Sequence, residues 1–142
     1  MKTLIAEDDS IIRQLLQRLL KRYGLVHTAA NGKEAVGAVG YALATGEQYE
    51  LICLDIMMPE MDGQEALRQI RVLEEAHGLA RRDRAKVLML TAVADRESVE
   101  LAAGRGCNGF LVKPTDKGGL LSKLSELGLR RNLQTKLWTL DG

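Results

Sequence analysis

Polar residues that could do chemistry stand directly after four short apolar runs. The runs 4–6, 51–54, 87–90 and 110–112 are followed respectively by Glu7-Asp8-Asp9, Asp55, Thr91 and Lys113. Carboxylates that come together repel one another and raise each other's pKa unless a cation lies among them. Oxygen ligands with open coordination positions suit Mg²⁺, which keeps several waters and binds one or two carboxylates plus a phosphate. If these acids converge, they therefore predict a magnesium site.

The same residue types could support phosphoryl transfer. A carboxylate can act as a nucleophile toward phosphorus, and the product is then an aspartyl phosphate. Such a transfer needs positive charge and a hydrogen-bond donor beside the equatorial oxygens of the phosphoryl group. Lys113 and Thr91 offer an amine and a hydroxyl for these two tasks. This chemistry requires that residues far apart in the chain meet at one place.

The elements that would bring them together form five βα units. Apolar runs predict strands at 4–6, 25–29, 51–54, 87–90 and 110–112, and helical spacing predicts helices near 11–20, 32–45, 65–74, 95–103 and 120–127, the fourth capped by Asp95 and the last closed by Gly128. Near-continuous apolar strands indicate a parallel sheet with both faces covered. Right-handed crossovers then give an α/β fold with a doubly wound five-stranded parallel sheet. In such sheets, ligands bind beyond the carboxyl ends of the strands.

Composition excludes several classes. The chain has 142 residues, 46% of them hydrophobic and 27% charged, which predicts one ordinary globular domain. A net charge of +1 and an aromatic content of 4% argue against a nucleic-acid-coating protein. Cys53 and Cys107 form neither a disulfide scaffold nor a zinc motif, and we interpret both as buried apolar residues. With no signal peptide or membrane span in evidence, we expect a cytoplasmic protein.

Three motifs, each at the end of a predicted strand, resemble a known family. They are LDIMMPEMDG at 54–63, LTA at 90–92 and FLVKP at 110–114. In this order they are similar to the response-regulator receiver domains (CheY-like) of bacterial two-component signalling, over about residues 2–127. The resemblance implies a flavodoxin-like (βα)5 fold with strand order 2-1-3-4-5. It also implies a receiver domain at 1–128 and a short extension at 129–142, with no output domain.

The resemblance assigns a role to each site residue. Asp55 would be the phosphoacceptor, and Glu7, Asp8, Asp55 and the backbone carbonyl of Met57 would hold Mg²⁺ or Mn²⁺. Thr91 and Lys113 would contact the phosphoryl group, and Phe110 would be the aromatic switch residue. The family often has an arginine five residues beyond the second acid, so Arg13 identifies that acid as Asp8. Asp8 would then bind the metal directly, Glu7 would act mainly through water, and Asp9 would cap a helix.

The function implied is signalling rather than enzymatic turnover. A sensor histidine kinase or a histidine phosphotransfer protein would phosphorylate Asp55. The surface of helix 4, strand 5 and helix 5 would then change and regulate an effector protein. We expect no direct contact with nucleic acid and no membrane insertion. A homodimer that forms on phosphorylation is an alternative that the sequence does not decide. The cognate kinase, the effector and the roles of the tail and of the basic loop at 80–86 are not predicted.

Three alternatives deserve comparison. A phosphatase that forms an aspartyl phosphate resembles Asp-x-Asp, with the second Asp as general acid, but Met57 stands at that position here. A degenerate receiver used as a scaffold would lose the acceptor, the lysine or an acid, and this chain keeps all of them. A flavodoxin-like electron carrier would need a phosphate-binding loop after the first strand, where this chain has acids.

Four further interpretations concern single segments. The Gly-x-Gly-x-x-Gly match at 104–109 precedes a strand instead of following one, so we interpret it as a helix end and turn and not as a nucleotide motif. We expect Phe110, three residues before Lys113, to share a side of the fifth strand with it. Met57 and Val93 cannot orient a water molecule, which predicts slow loss of phosphate. The leucines beyond 128 predict a short amphipathic extension of the last helix.

Overall fold

The computed structural model describes residues 1–92, 96–113 and 115–129. Its strands are β1 (Thr3–Ala6), β2 (Val26–Ala29), β3 (Leu51–Asp55), β4 (Lys86–Thr91) and β5 (Gly109–Val112). Its helices are α1 (Ser10–Lys21), α2 (Gly32–Ala44), α3 (Gly63–Ala76), α4 (Arg96–Gly104) and α5 (Lys117–Glu126). The expected helix cap at Asp95 and the extension beyond residue 129 lie outside the described residues.

The five strands form one parallel sheet in the order β2-β1-β3-β4-β5. Both the predicted fold class and the predicted strand order are therefore confirmed. The strand direction is parallel throughout, so all five carboxyl ends lie along one edge. β1 and β3 are neighbours in register, with Ala6 beside Leu54. The residues that follow them, Glu7 and Asp55, are consequently adjacent at that edge.

Helices cover both faces of the sheet, and each face has its own apolar cluster. On one face Leu16 and Leu20 of α1 and Leu120 and Leu124 of α5 pack against the sheet. The other face is covered by α2, α3 and α4, which contribute apolar side chains including Val39, Leu67, Ile70 and Ala102. Full burial of one such leucine or isoleucine is worth roughly 1.5–3 kcal/mol. Burial on both faces explains why residues 4–6 of β1 and 51–54 of β3 are all apolar instead of alternating with polar residues.

Side chains that cap the helices fix where the helices begin. Asp9 accepts hydrogen bonds from the backbone amides of Ile11 and Ile12, so its predicted role as a helix cap is confirmed. Asp62 caps α3 in the same way, through the amide of Glu65. Each cap of this kind contributes about 1 kcal/mol. Both caps stand at the carboxyl edge of the sheet, and they hold the loops after β1 and β3 in place.

Two details differ from the sequence-based expectations. The basic loop at 80–86 contains one 3₁₀ turn, Arg81–Asp83, and its last residue already belongs to β4. Cys53 is buried as expected, but Cys107 is only half-buried, because it lies in the turn between α4 and β5 rather than in a strand. Among the helices of the described residues, none combines the length and the apolar character needed to cross a bilayer.

Candidate functional site

Three carboxylates converge where β1 and β3 end. Glu7, Asp8 and Asp55 each offer an oxygen, and these oxygens lie within 4.8 Å of one another. Glu7 and Asp55 are buried, with 0% and 2% of their surface exposed, whereas Asp8 is exposed. The three acids predicted from the sequence are therefore brought together, at an edge that is open to solvent on the side of Asp8.

Lys113 supplies the positive charge that faces this cluster. Its Nζ lies 3.1 Å from Oε2 of Glu7 and 3.2 Å from Oδ1 of Asp55. The lysine side chain is 14% exposed, so water screens these contacts only weakly. Because Lys113 follows β5 directly, the sheet holds its backbone in place through the hydrogen bond from its amide to the carbonyl of Thr91, at 2.7 Å.

The cluster changes the protonation of its members. Burial, together with a hydrogen bond to Asp55, raises the pKa of Glu7 from 4.5 to about 7, although the hydrogen bond from Lys113 opposes that shift. Burial alone would lower the pKa of Lys113, but its contacts with Glu7 and Asp55 outweigh burial and raise it. The lysine therefore stays charged at neutral pH. The carboxyl group of Glu7, with a pKa of about 7, is protonated in about half of the metal-free molecules at that pH.

Hydrogen bonds from neighbouring residues hold the acidic loop and Asp55. Arg13 donates from Nη1 to the carbonyl of Glu7 at 2.7 Å and reaches that of Asp8 at 3.5 Å. The amide of Asp9 donates to Oε1 of Glu7 at 3.2 Å. On the other side of the site, the amide of Met57 donates to Oδ1 of Asp55 at 3.2 Å. The side chain of Met57 is 77% exposed, as expected of a residue that would serve the metal only through its backbone.

Gly63 is a site residue whose role was not foreseen from the sequence. A Cβ at this position would lie 2.2 Å from the backbone oxygen of Asp55, so only glycine allows α3 to start so close to that residue. Its amide donates to the carbonyl of Ile56 at 2.9 Å, which ties the loop after β3 to α3. The glycine ends the LDIMMPEMDG motif, but a sequence does not show which glycine is needed for close packing.

Thr91 and Phe110 occupy the neighbouring strands. Thr91 is buried at the end of β4, which pairs with β3 so that Leu90 lies beside Asp55. Phe110 is half-buried, packs against the cluster under α2, α3 and α4, and lies beside Met89. The expectation that Phe110 shares a side of β5 with Lys113 is wrong, since side chains alternate with a period of two and the two residues are three positions apart. Phe110 instead shares a face with Met89 and Thr91.

Val93 and Pro114 lie outside the described residues.

A second unforeseen contact links α3 to α4. Gln64 is buried, with 6% of its surface exposed, and its Nε2 donates to the carbonyl of Ser98 at 3.0 Å. The two residues are 34 positions apart in the sequence. No local pattern predicts such a contact, because it depends on the position of α4 relative to α3.

The donor set fits a divalent cation. All its side-chain donors are oxygens, two of them from buried acids, and the exposed Asp8 leaves an approach from solvent. A magnesium ion here would be bound by Asp8 and Asp55, with Glu7 adjacent, and would relieve the repulsion among the acids.

Comparison with known proteins places the chain in a family. The model of the response regulator receiver domain matches residues 3–125. The chain is 33% identical over 127 residues to the chemotaxis protein CheY-3 of Vibrio cholerae, covering 89% of this chain and 91% of that protein. It is also 31% identical over 130 residues to the osmosensing histidine protein kinase SLN1 of Saccharomyces cerevisiae, with 88% of this chain covered but only 10% of the kinase.

A solved structure shows the same fold with ligands. The receiver domain of the histidine kinase CKI1 from Arabidopsis thaliana, complexed with Mg²⁺ and BeF3⁻, matches with a TM-score of 0.77 at 27% identity, covering 89% of each chain. Sequence, fold and the converging acids thus agree, and the chain belongs to the response-regulator receiver domain family.

Proposed function

We propose that this chain is a phosphoacceptor whose acceptor residue is Asp55, with Mg²⁺ as the required cation. The observation that carries the proposal is the position of Lys113, whose Nζ lies 3.2 Å from Oδ1 of Asp55 inside the carboxylate cluster. A charged amine at this distance can hold the oxygens of a phosphoryl group attached to Asp55. Asp8 and Asp55, with the carbonyl of Met57, would hold the metal, and Glu7 would act beside them.

The transfer is a single displacement at phosphorus. One oxygen of Asp55 forms the new O–P bond while the bond from phosphorus to the donor breaks, either to the nitrogen of a phosphohistidine or to the acyl oxygen of acetyl phosphate. The donor leaves as histidine or acetate, so the atoms and charges balance. Lys113 reduces the repulsion between the anionic donor and the acids, and a cation held by Asp8 and Asp55 would supply further positive charge there. Thr91, at the end of the adjacent strand, would contact the transferred group.

The proposed partners follow from this chemistry. A sensor histidine kinase or a histidine phosphotransfer protein supplies the phosphoryl group in the cytoplasm. Phosphorylation then alters the surface formed by α4, β5 and α5, and an effector protein binds the altered surface. The chain consumes one phosphoryl group per molecule and is not a turnover enzyme for other substrates, because Met57 stands where a general acid would be needed.

A mass spectrum of the intact protein tests the acceptor. After incubation with Mg²⁺ and acetyl phosphate, the chain should gain the mass of one phosphoryl group. Asp55→Asn should gain none, because a neutral amide is a poor nucleophile. Asp83→Asn is the matched control, since Asp83 is an exposed acid that precedes β4 at the opposite edge of the sheet, and it should be modified like the parent.

Two results would contradict the proposal. Undiminished modification of Asp55→Asn would place the phosphoryl group elsewhere. Sustained hydrolysis of generic phosphomonoesters by the parent, lost in Asp55→Asn, would instead favour the phosphatase alternative.

A further inference from the structure

A cavity lined by arginines lies at the edge of the sheet opposite Asp55. Its volume is about 410 Å³, and its walls include Arg71, Arg81, Arg84 and Arg105. We refer to it as the arginine cavity. The 3₁₀ turn before β4 supplies Arg81, α3 supplies Arg71, and the turn between α4 and β5 supplies Arg105. None of these residues belongs to the site at the carboxyl edge.

The positive charge in the arginine cavity is largely uncompensated. Arg71 pairs with Glu74 at 2.6 Å. Arg81, Arg84 and Arg105 form no ion pair with any acid in the part of the chain that the structure describes. The described lining contains no aspartate or glutamate. Nε of Arg84 donates to the carbonyl of Leu79 at 3.1 Å, and Arg105 acts on Glu65, whose pKa is lowered chiefly by Arg68, only from beyond ion-pair distance. Three arginines that line one space without an ion-pair partner repel one another, and an anion in that space would relieve the repulsion.

The walls of the cavity are held in place by Arg71. Its guanidinium donates to the carbonyl of Gly106 at 2.8 and 3.0 Å, to Oδ1 of Asn108 at 2.9 Å and to the carbonyl of Ala85 at 2.9 Å. Gly106 has a φ of +90°, and an added Cβ there would lie 3.4 Å from Nε of Arg71. This network fixes the turn carrying Arg105 against the start of β4, and thereby near Arg81 and Arg84. The backbone of both turns is therefore held in place before a ligand arrives, which lowers the entropic cost of binding.

The shape and lining favour a small ligand over a macromolecule. Ligand cavities commonly measure about 300–1,000 Å³, which includes this one. The described lining has no aromatic side chain on which a base could stack, and the chain as a whole carries a net charge of only +1. Guanidinium groups bind phosphate through paired N–H donors. With three arginines unneutralised, the complementary ligand carries several phosphate charges.

We propose that the arginine cavity binds a small molecule with two or more linked phosphate groups. Arg81, Arg84 and Arg105 contact the phosphates, and Arg71 positions the turn that carries Arg105. Such a ligand would join the 3₁₀ turn before β4 to the turn between α4 and β5. The site is separate from Asp55 and does not depend on its phosphorylation.

Calorimetric titration without Mg²⁺ tests the proposal with inorganic tripolyphosphate as the probe. The parent should show saturable binding that weakens as salt rises. Arg81→Gln combined with Arg105→Gln should weaken binding by about tenfold or more, since two charge-assisted contacts are lost. Arg82→Gln is the matched control, because Arg82 lies in the same turn, is 88% exposed and is not part of the described lining. It should bind within about twofold of the parent.

Two further experiments identify the ligand and exclude binding at the carboxylate cluster. Lys113→Gln should bind tripolyphosphate as the parent does, which would show that the anion does not bind beside Asp55. Adenosine diphosphate in place of tripolyphosphate distinguishes a nucleotide from an inorganic source of the linked phosphates. The proposal is overturned if tripolyphosphate shows no saturable binding at millimolar concentration, or if Arg82→Gln weakens binding as much as the double variant. Tighter binding of a short oligonucleotide or a glutamate-rich peptide to the same arginines would also overturn it.

Discussion

At the scale of single residues, Lys113 has two roles that can be separated. Among the described residues, it is the cation shared by Glu7 and Asp55, and its side chain is 14% exposed. Removal of one partner from a buried ion pair is costly because it leaves the other charge uncompensated. The lysine therefore stabilises the metal-free protein, in addition to the role that we propose for it after phosphorylation.

We expect Lys113→Met to lower the free energy of unfolding of the metal-free protein by about 3 kcal/mol. Saturating Mg²⁺ should restore part of that loss, because the metal replaces the missing positive charge. Urea denaturation with and without Mg²⁺ measures both effects. Lys33→Met, which alters an exposed lysine of α2, should change stability by less than about 0.5 kcal/mol. Equal effects of the two variants would show that the contacts of Lys113 contribute nothing to stability.

Met57 is the residue for which we predict an effect on the lifetime of the phosphorylated state. Its side chain is 77% exposed beside Asp55, and a thioether cannot orient an attacking water. Met57→Asn should speed phosphate loss, since its amide can hydrogen-bond that water, while Met57→Leu should lose phosphate at the parental rate. The affinity for Mg²⁺ should change little in either variant, because Met57 would contact the metal only through its backbone carbonyl. The decay of the phosphorylated mass with time measures the rate, and equal rates for both variants would refute the prediction.

At the scale of elements, the close approach of α3 to β3 depends on Gly63. Gly63→Ala places a methyl group 2.2 Å from the backbone oxygen of Asp55, so α3 must shift. We expect a loss of more than about 2 kcal/mol in the free energy of unfolding, together with weaker Mg²⁺ binding. Gly37→Ala is the control, since an added Cβ in the middle of α2 meets no atom within 4 Å.

The control should itself respond in the opposite direction. Alanine favours a helix interior over glycine by about 0.5–1 kcal/mol, so Gly37→Ala should stabilise the protein. Thermal unfolding of both variants, with and without Mg²⁺, separates a general helix effect from the effect of contact with Asp55. If Gly63→Ala kept full stability and metal affinity, the close approach would not matter.

The ends of β4 and β5 are where we expect a conformational response. Phe110 is half-buried on the face of the sheet that also carries Met89, and Thr91 follows on that face of β4. If Thr91 moves toward a phosphoryl group, the space it leaves can be filled by the ring of Phe110, which has no hydroxyl and so is held by packing alone. Crystal structures with and without a beryllium fluoride mimic should show different ring rotamers or a displaced loop after Thr91. Identical rings and loops in both would exclude this response.

The sequence predicted those elements and residues whose positions follow from local patterns. Apolar runs gave the strands, and the rule that parallel strands end at one edge brought Glu7, Asp55 and Lys113 together across as many as 106 positions. The contacts of Gln64 with Ser98 and of Arg71 with Gly106 could not be predicted, because they depend on how helices are placed over the sheet. The side of β5 on which Phe110 lies follows from strand alternation, because positions three apart in a strand face opposite sides.

At the scale of the whole molecule, the two edges of the sheet carry opposite charge. Buried and exposed acids meet at the carboxyl edge, and the arginine cavity lies at the other. The net charge of +1 is therefore a sum over an acidic region and a basic region that lie at opposite edges of the sheet. Each region is suited to a ligand of the opposite charge. A property of the whole chain, its stability as a function of pH, should reveal the acidic edge.

Glu7 determines the sign of that dependence. Its pKa is about 7 in the folded protein, against 4.5 for the unperturbed group, so between these values the folded state holds a proton that the unfolded state has lost. Stability without metal should therefore fall as pH rises through this window. Mg²⁺ competes with that proton and binds the folded state, so the rise in melting temperature that it causes should be larger at about pH 8 than at about pH 5.5.

Glu7→Gln should flatten the dependence of metal-free stability on pH between about 5 and 7, because the amide cannot titrate. Glu75→Gln, a change at an exposed acid of α3, should leave that dependence as in the parent. Melting curves across this range, recorded with and without Mg²⁺, make the measurement. If the effect of Mg²⁺ on melting temperature were the same at both ends of the range, the proton on Glu7 would not compete with the metal. The carboxylate cluster would then bind its cation through Asp8 and Asp55 alone.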